Sequence, residues 1–353
     1  MQTTTSIVPK KPEQKQKTGW IEKCWQWMGF THQPTLKLYP GYGHAAHLIM
    51  YGHALSFAPL ARNKYSTYFL VDLLALIRLF IVKQIAGHKV RLQWENNLFN
   101  TTTSSDGFIQ LQWHSEEPMN FGWHSMPVEL LNTKEAVMAT ATGSVFIPHS
   151  TQFGFISDID DTFLISHSAN FRKRLAVLFT RNARTRKPFE GVVNHYQLLA
   201  QAHTKENEPN PFFYVSSSEW NLFDYITEFI RINGLPQGIL ILSSIKKLSQ
   251  LLRTGQNIHG SKFARIVRIL EAFPKQQFIL LGDSSQQDPN IYTNIVELFP
   301  ERIHAIYIRD IHKKKSRLVQ HVLHAMEDKG VPCCFFTHSI EAIAHSKRIG
   351  LIK

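Results

Sequence analysis

Cysteine is scarce in this 353-residue chain: Cys24 and the adjacent pair Cys333 and Cys334 provide neither a disulfide framework nor the spacing of a metal-binding cluster. That usage fits a reducing compartment. Long uninterrupted apolar runs are lacking as well. The most apolar stretch, residues 69–82, is broken by Asp72 and Arg78 and falls short of the roughly 20 residues needed to span a bilayer, so it reads as a mostly buried helix. The first residues contain no apolar core followed by a small-residue cleavage site, and the expectation is a cytoplasmic protein. There is no internal repeat and no low-complexity tract. Acidic residues are the minority, 27 Asp and Glu against 39 Lys and Arg, for a formal charge of +12. Such a balance favours a polyanionic partner without naming it. Zinc-finger spacing, a recognition helix and an aromatic RNA-binding signature are all missing, so nucleic acid is not expected. With 43% hydrophobic and 19% charged residues, the composition is that of a globular protein and excludes extended disorder.

The length has room for two domains with separate cores. Residues 1–34 read as a basic tail followed by an aromatic segment in which Trp20, Trp25, Trp27 and Phe30 accompany Lys23. This composition suits a membrane interface and equally a strap packed on the rest of the chain. From 35 to 148, β-type runs at 47–50, 89–94, 107–113, 127–131 and 143–147 are separated by Gly, Asn, Asp and Pro. They predict a small antiparallel sandwich carrying a helical insertion at 66–86. From 149 to 353 the pattern changes to apolar runs ending at Ser157, Val215, Leu242, Leu281 and Ile308, interleaved with helical stretches near 191–203, 219–233, 262–273 and 290–299. That alternation predicts an α/β domain with a parallel sheet flanked by helices, whose functional groups collect at the carboxyl ends of the strands.

Four signals at those ends carry chemistry. The first is Phe153-Gly-Phe-Ile-Ser-Asp158-Ile-Asp160-Asp161-Thr162, a buried run that delivers carboxylates to its tip. An aspartate there can attack phosphorus while a second, two residues on, protonates the leaving oxygen. Asp161 reads as a loop-orienting residue. Next, the run 212–215 ends in Ser216-Ser217-Ser218, and a small hydroxyl at such a strand end can hydrogen-bond a transferring phosphoryl oxygen. Ser216 is the first candidate; Ser217 or Ser218 takes the role if the strand ends a residue later. Third, Lys262 opens a helical segment and can neutralise phosphate charge, against the ordinary alternative of a solvated lysine. Finally, the run 277–281 ends in Gly282-Asp283, with Asp288 five residues on. Those carboxylates suit a hard cation, although Asp288, followed by Pro289, also reads as the N-cap of a helix beginning near Ile291.

The phrases Phe212-Phe-Tyr-Val-Ser-Ser-Ser-Glu-Trp-Asn221, Leu280-Leu-Gly-Asp-Ser-Ser-Gln-Gln-Asp-Pro-Asn-Ile-Tyr292 and Ala305-Ile-Tyr-Ile-Arg-Asp310 closely resemble the catalytic domain of the actin-patch phosphatidate phosphatase family, a branch of the haloacid-dehalogenase-like superfamily. The resemblance covers roughly residues 145–345, and Leu38-Tyr-Pro-Gly-Tyr-Gly43 resembles the opening of the bacterial members' N-terminal domain. One departure is Glu219, which stands where the family carries proline. What the resemblance implies is a haloacid-dehalogenase-like fold and a Mg2+-dependent phosphomonoesterase working through an aspartyl-phosphate. Asp158 would be nucleophile and metal ligand and Asp160 general acid and then base, with Ser216 and Lys262 holding the phosphoryl oxygens. Asp160, Asp283 and Asp288 complete the implied metal set. The implied substrate is phosphatidate, an anionic phospholipid met at a membrane surface by a cytoplasmic enzyme peripheral on the inner face. Another phosphomonoester and non-catalytic binding of anionic lipid are the alternatives. Between the first two motifs, Arg172, Lys173, Arg174, Arg181, Arg184, Arg186 and Lys187 form a run without an acidic residue. With the resemblance, it reads as a positive substrate cap.

Overall fold

A computed structural model describes residues 30–31, 33–59, 81–116, 119–149, 152–159, 188–205, 208–243, 258–284 and 287–353. The tryptophan-bearing segment, the apolar stretch up to residue 80, Asp160, Asp161 and the basic run from Arg172 to Lys187 lie outside them.

The N-terminal part is a ten-stranded sheet organised around one long strand, β4 (His47–Pro59). Strands β1 (Phe30–Thr31), β2 (Thr35–Leu38), β3 (Gly41–His44), β5 (Lys83–Gln84) and β8 (Phe108–Trp113) all pair with it antiparallel. The remaining strands are β6 (Lys89–Trp94), β7 (Asn97–Thr102), β9 (Gly122–Leu131) and β10 (Val137–Ile147), joined as neighbouring antiparallel pairs. Two expectations change here. The layers are not separate sheets, because β3 pairs with β4 on one side and, in parallel, with β10 on the other. A Cβ on Gly41 would stand 2.4 Å from the Ile49 carbonyl oxygen, so this close double pairing requires glycine there. In addition, the helix expected at 66–86 does not reach its end, since Lys83–Gln84 form β5 along β4.

Period-two alternation on β4 decides where each side chain goes. Leu48, Met50 and Ala54 point into the β core with Leu92, Leu111, Val128 and Val145. Ile49 and Tyr51 point the other way and join the core of the C-terminal unit, together with Tyr39 and Tyr42. The two units therefore share a continuous aromatic seam. Tyr39 stacks on Trp220 at 4.0 Å, Tyr42 meets Phe213 edge-on at 5.4 Å, and Tyr51 stacks on Phe108 at 5.6 Å. The Tyr39 hydroxyl lies 3.0 Å from Nδ1 of His53, which is fully buried in the same seam.

The C-terminal unit is a six-stranded parallel sheet: β11 (Gly154–Asp158), β12 (Phe212–Glu219), β13 (Gly238–Ser243), β14 (Phe278–Asp283), β15 (Ile303–Arg309) and β16 (Cys333–Phe336). Six helices accompany it among the described residues: α1 (Val192–Ala200), α2 (Phe223–Ile232), α3 (Ile258–Ala272), α4 (Asp288–Leu298), α5 (Ser316–Glu327) and α6 (Ser339–Arg348). Every residue of β11 and β14 is buried, as expected for central strands covered on both faces. The spatial order is β13-β12-β11-β14-β15-β16. The chain leaves β11 toward one edge and β14 toward the other, which opens a crevice at the carboxyl ends of these two neighbours. Cys333 and Cys334 are free and buried, and burial pushes both thiols up to about 12. None of the described helices is long and apolar enough to cross a membrane.

Burial lowers the His53 imidazole from its ordinary 6.5 to about 4, Asp106 opposing and Lys37 assisting more weakly. The folded protein therefore excludes a proton that the unfolded chain binds below pH 6.5. Stability from this group is complete above that pH, falls as acid is added, and levels off below about pH 4, for a loss of about 3 kcal/mol. Thermal melts of wild type and His53→Gln between pH 7 and 4 check this: the variant, which keeps an acceptor for Tyr39 but cannot titrate, is expected to show a shallower acid decline.

Candidate active site

Asp158 is the last residue of β11 and is buried at the crevice between β11 and β14. Asp283 ends β14 beside it, and Asp288 opens α4. One carboxylate oxygen from each lies within 4.8 Å of the other two. Gly282 makes this approach possible, since a Cβ there would come within 2.7 Å of Asp288 Oδ2. Asp288 is thus not the cap of a later helix: the cap position belongs to Gln287, and the Asp288 side chain turns inward. Its Oδ2 accepts the Asp283 backbone N–H at 3.3 Å, while Oδ1 accepts from the Lys262 ammonium.

Lys262 is 3% exposed, and its Nζ also stands 3.1 Å from Asp158 Oδ1. It sits in the second turn of α3, one turn further in than expected, because Gly260 and Ser261 dilute the apolar period of the first turn. Burial by itself would lower the ammonium's pKa. Asp158, Asp288 and Asp283 together outweigh that and hold it above its ordinary value, so the lysine stays charged. Among the described residues, the three carboxylates around Lys262 form an all-oxygen donor set that matches a hard divalent cation.

The serines lie in an irregular stretch of β12. Between Val215 and Glu219 the chain advances four residues while its partner β13 advances two, from Ile241 to Ser243. Within this bulge Ser216 is fully buried, and its Oγ accepts the Ser218 N–H at 2.9 Å. Ser217 alone of the three keeps part of its surface exposed. Glu219 has φ −78° and ψ 150°, a backbone conformation that proline also adopts, so the departure from proline leaves the strand end intact.

Three positioning residues escaped the motif reading. Arg265, one turn beyond Lys262, is buried and donates from Nη1 to the Ser216 carbonyl at 2.5 Å, tying α3 to the bulge. Burial lowers this guanidinium to about 10, and the Asp158 carboxylate opposes the shift. Ser284, directly after Asp283, accepts from the Ile311 and His312 N–H groups at 3.0 Å and donates to Asp310 Oδ1 at 3.2 Å. Asp310 in turn accepts from Ser316 Oγ at 2.7 Å. The available signal was helical spacing for Arg265; Ser284 and Asp310 stand in two of the phrases that carry the family resemblance, but nothing local pairs them.

Residues 153–310 match the model of the catalytic domain of phosphatidate phosphatase APP1. The phosphatidate phosphatase APP1 of Saccharomyces cerevisiae is 32% identical over 173 residues, 48% of this chain and 27% of that protein. An uncharacterized protein of Schizosaccharomyces pombe is 22% identical over 264 residues, 72% of this chain and 40% of its own length. The chain thus spans well under half of these relatives. Among solved structures, a carbohydrate acetylesterase from Xanthomonas citri aligns over 86% of this chain and 68% of its own with 8% identity and a TM-score of 0.29. The α/β segment that brings Asp158, Lys262, Asp283 and Asp288 together is thus similar to the catalytic domain of the APP1 phosphatidate phosphatase.

Proposed function

We propose that this chain is a haloacid-dehalogenase-like phosphatase that hydrolyses phosphatidate to diacylglycerol and inorganic phosphate, acting as a peripheral protein on a cytoplasmic membrane face. The carrying observation is the buried Asp158 carboxylate at the carboxyl end of a central strand, beside Lys262 and two further carboxylates, within a segment matching a phosphatidate phosphatase catalytic domain.

In this reading an Asp158 oxygen attacks phosphorus, a new O–P bond forms, and the ester P–O bond breaks. The departing oxygen needs a proton to avoid leaving as a bare alkoxide; Asp160 supplies it and then draws the proton from the water that cleaves the aspartyl-phosphate. Lys262 is pre-charged by its carboxylate neighbours and offsets the equatorial oxygens. Ser216, in the bulge at the end of the neighbouring strand β12, would offer its hydroxyl to a phosphoryl oxygen. Asp158, Asp283 and Asp288, with Asp160, would hold Mg2+, which when bound adds Lewis-acid stabilisation of the transferring phosphoryl group.

Phosphate release from phosphatidate, lysophosphatidate, sugar phosphates and phosphopeptides, with and without Mg2+, tests substrate class and metal dependence together. Preference for a soluble phosphomonoester would reject phosphatidate. Asp158→Asn is expected to abolish turnover while the fold persists, since the amide is nearly isosteric but cannot attack phosphorus. Asp160→Asn is expected to slow lipid esters by on the order of 100-fold or more while aryl phosphates, whose leaving group hardly needs a proton, lose much less. Equal losses on both substrates would remove the acid role.

The charge cluster generates a prediction that does not depend on turnover. Lys262→Met removes the buried cation that balances the carboxylates, and is expected to cost about 3–5 kcal/mol at neutral pH without metal. Mg2+ is then expected to raise the variant's melting temperature more than that of the wild type, because it replaces the missing positive charge. Differential scanning fluorimetry over a Mg2+ titration measures this, and an equal response of both proteins would argue against a metal among these carboxylates.

A further inference from the structure

We propose that the segment from His312 to Leu318, on the rim of the active-site crevice, is the surface by which this protein docks on anionic phospholipid membranes. The inference rests on the phosphatase reading for its biological sense. Its physical basis is independent. Residues 311–326 carry four Lys and Arg and three His with no acidic residue. Among the described residues, Lys313, Lys314 and Arg317 are exposed and form no ion pair. The flanking acids have other partners than these three cations, Asp310 with Ser284 and Ser316, and Glu327 with His324.

Position gives the patch its meaning. Strand β15 runs parallel to β14, with Arg309 paired opposite Asp283, so the chain leaves β15 on the same rim as the carboxylate cluster. The Ser284 hydroxyl then pins Ile311 and His312. The cations are therefore held on the crevice side of the sheet, one hydrogen-bonded link from the residue that follows Asp283. In their midst Leu318 is 67% exposed. An exposed leucine inside a lysine cluster serves no purpose against a nucleic-acid backbone, but it can enter the headgroup region once the cations have drawn the protein to an anionic surface. Docking on this rim would turn the mouth of the crevice toward the lipid.

The test uses the full chain and co-sedimentation with phosphatidylcholine vesicles with and without phosphatidylserine, an anionic lipid that is not a phosphomonoester. K313A/K314A/R317A is expected to weaken binding to the phosphatidylserine vesicles on the order of 100-fold at low salt, with a flatter salt dependence. Leu318→Ser is expected to produce a severalfold loss that persists at high salt. Magnesium-supported hydrolysis of a soluble aryl phosphate should remain unchanged in both variants. Unaltered vesicle binding by the triple variant overturns the proposal. So does a triple variant that loses single-stranded RNA binding and vesicle binding to the same degree while Leu318→Ser loses nothing, which would mark a generic polyanion face. If the variants lose vesicle binding as expected but wild type releases no phosphate from any substrate, the docking surface stands and the phosphatase reading falls.

Discussion

One buried ammonium organises the C-terminal unit. Lys262 sits against Asp158 and Asp288 with Asp283 close by, all of them removed from water. Charges so placed are tolerable only together: the isolated desolvation penalty is several kcal/mol for each ion, and only mutual attraction with added hydrogen bonds offsets it. The constraint reaches outward. Carboxylates must arrive from β11, β14 and the start of α4, and the lysine from α3, so the cluster ties the positions of four elements to one another. Gly282 lacks a side chain because Asp288 occupies that space.

Around this centre the supporting residues act on backbone. Arg265 holds the carbonyl of Ser216, and Arg309 reaches the Thr337 carbonyl at 3.0 Å and Ser339 Oγ at 2.8 Å, while its guanidinium packs over Phe189 and Phe336. Ser284 joins the loops after β14 and β15. These contacts fix the carboxyl-end loops, where phosphoryl transfer demands positioning more than covalent participation. The β-rich unit contributes differently. Through the alternate faces of β4 it lends Tyr39, Tyr42, Ile49 and Tyr51 to the α/β core, a buried aromatic seam that couples the two units and carries the acid-sensitive His53.

The parallel strands were legible because each is a short, nearly continuous apolar run ending in a polar turn, and β6 could be read at its full extent from alternation and flanking turn residues. The part after β15 was less legible: β16, α5 and α6 went unread, since Cys333–Phe336 is a four-residue strand and α5 has a low mean apolar content despite its well-separated faces. The double pairing of β3 could not be read, because a pairing partner in another strand leaves no trace in local periodicity. For Asp288 the sequence left two readings open, cation ligand and helix cap, because Asp before Pro looks like a cap whether or not a buried lysine waits twenty-six residues upstream.

By itself the sequence determined that aspartates, a serine run and a lysine stand at strand ends and helix faces in an order suited to phosphoryl transfer, because residue type and local period are properties of the chain. Only the tertiary structure decided which carboxylates meet, that Lys262 is shared between Asp158 and Asp288, that Arg265 and Ser284 set the loops, and that the Lys313–Leu318 cluster stands on the rim beside Asp283. Those are distances between segments far apart in the chain, set by strand order and by the desolvation of buried charge.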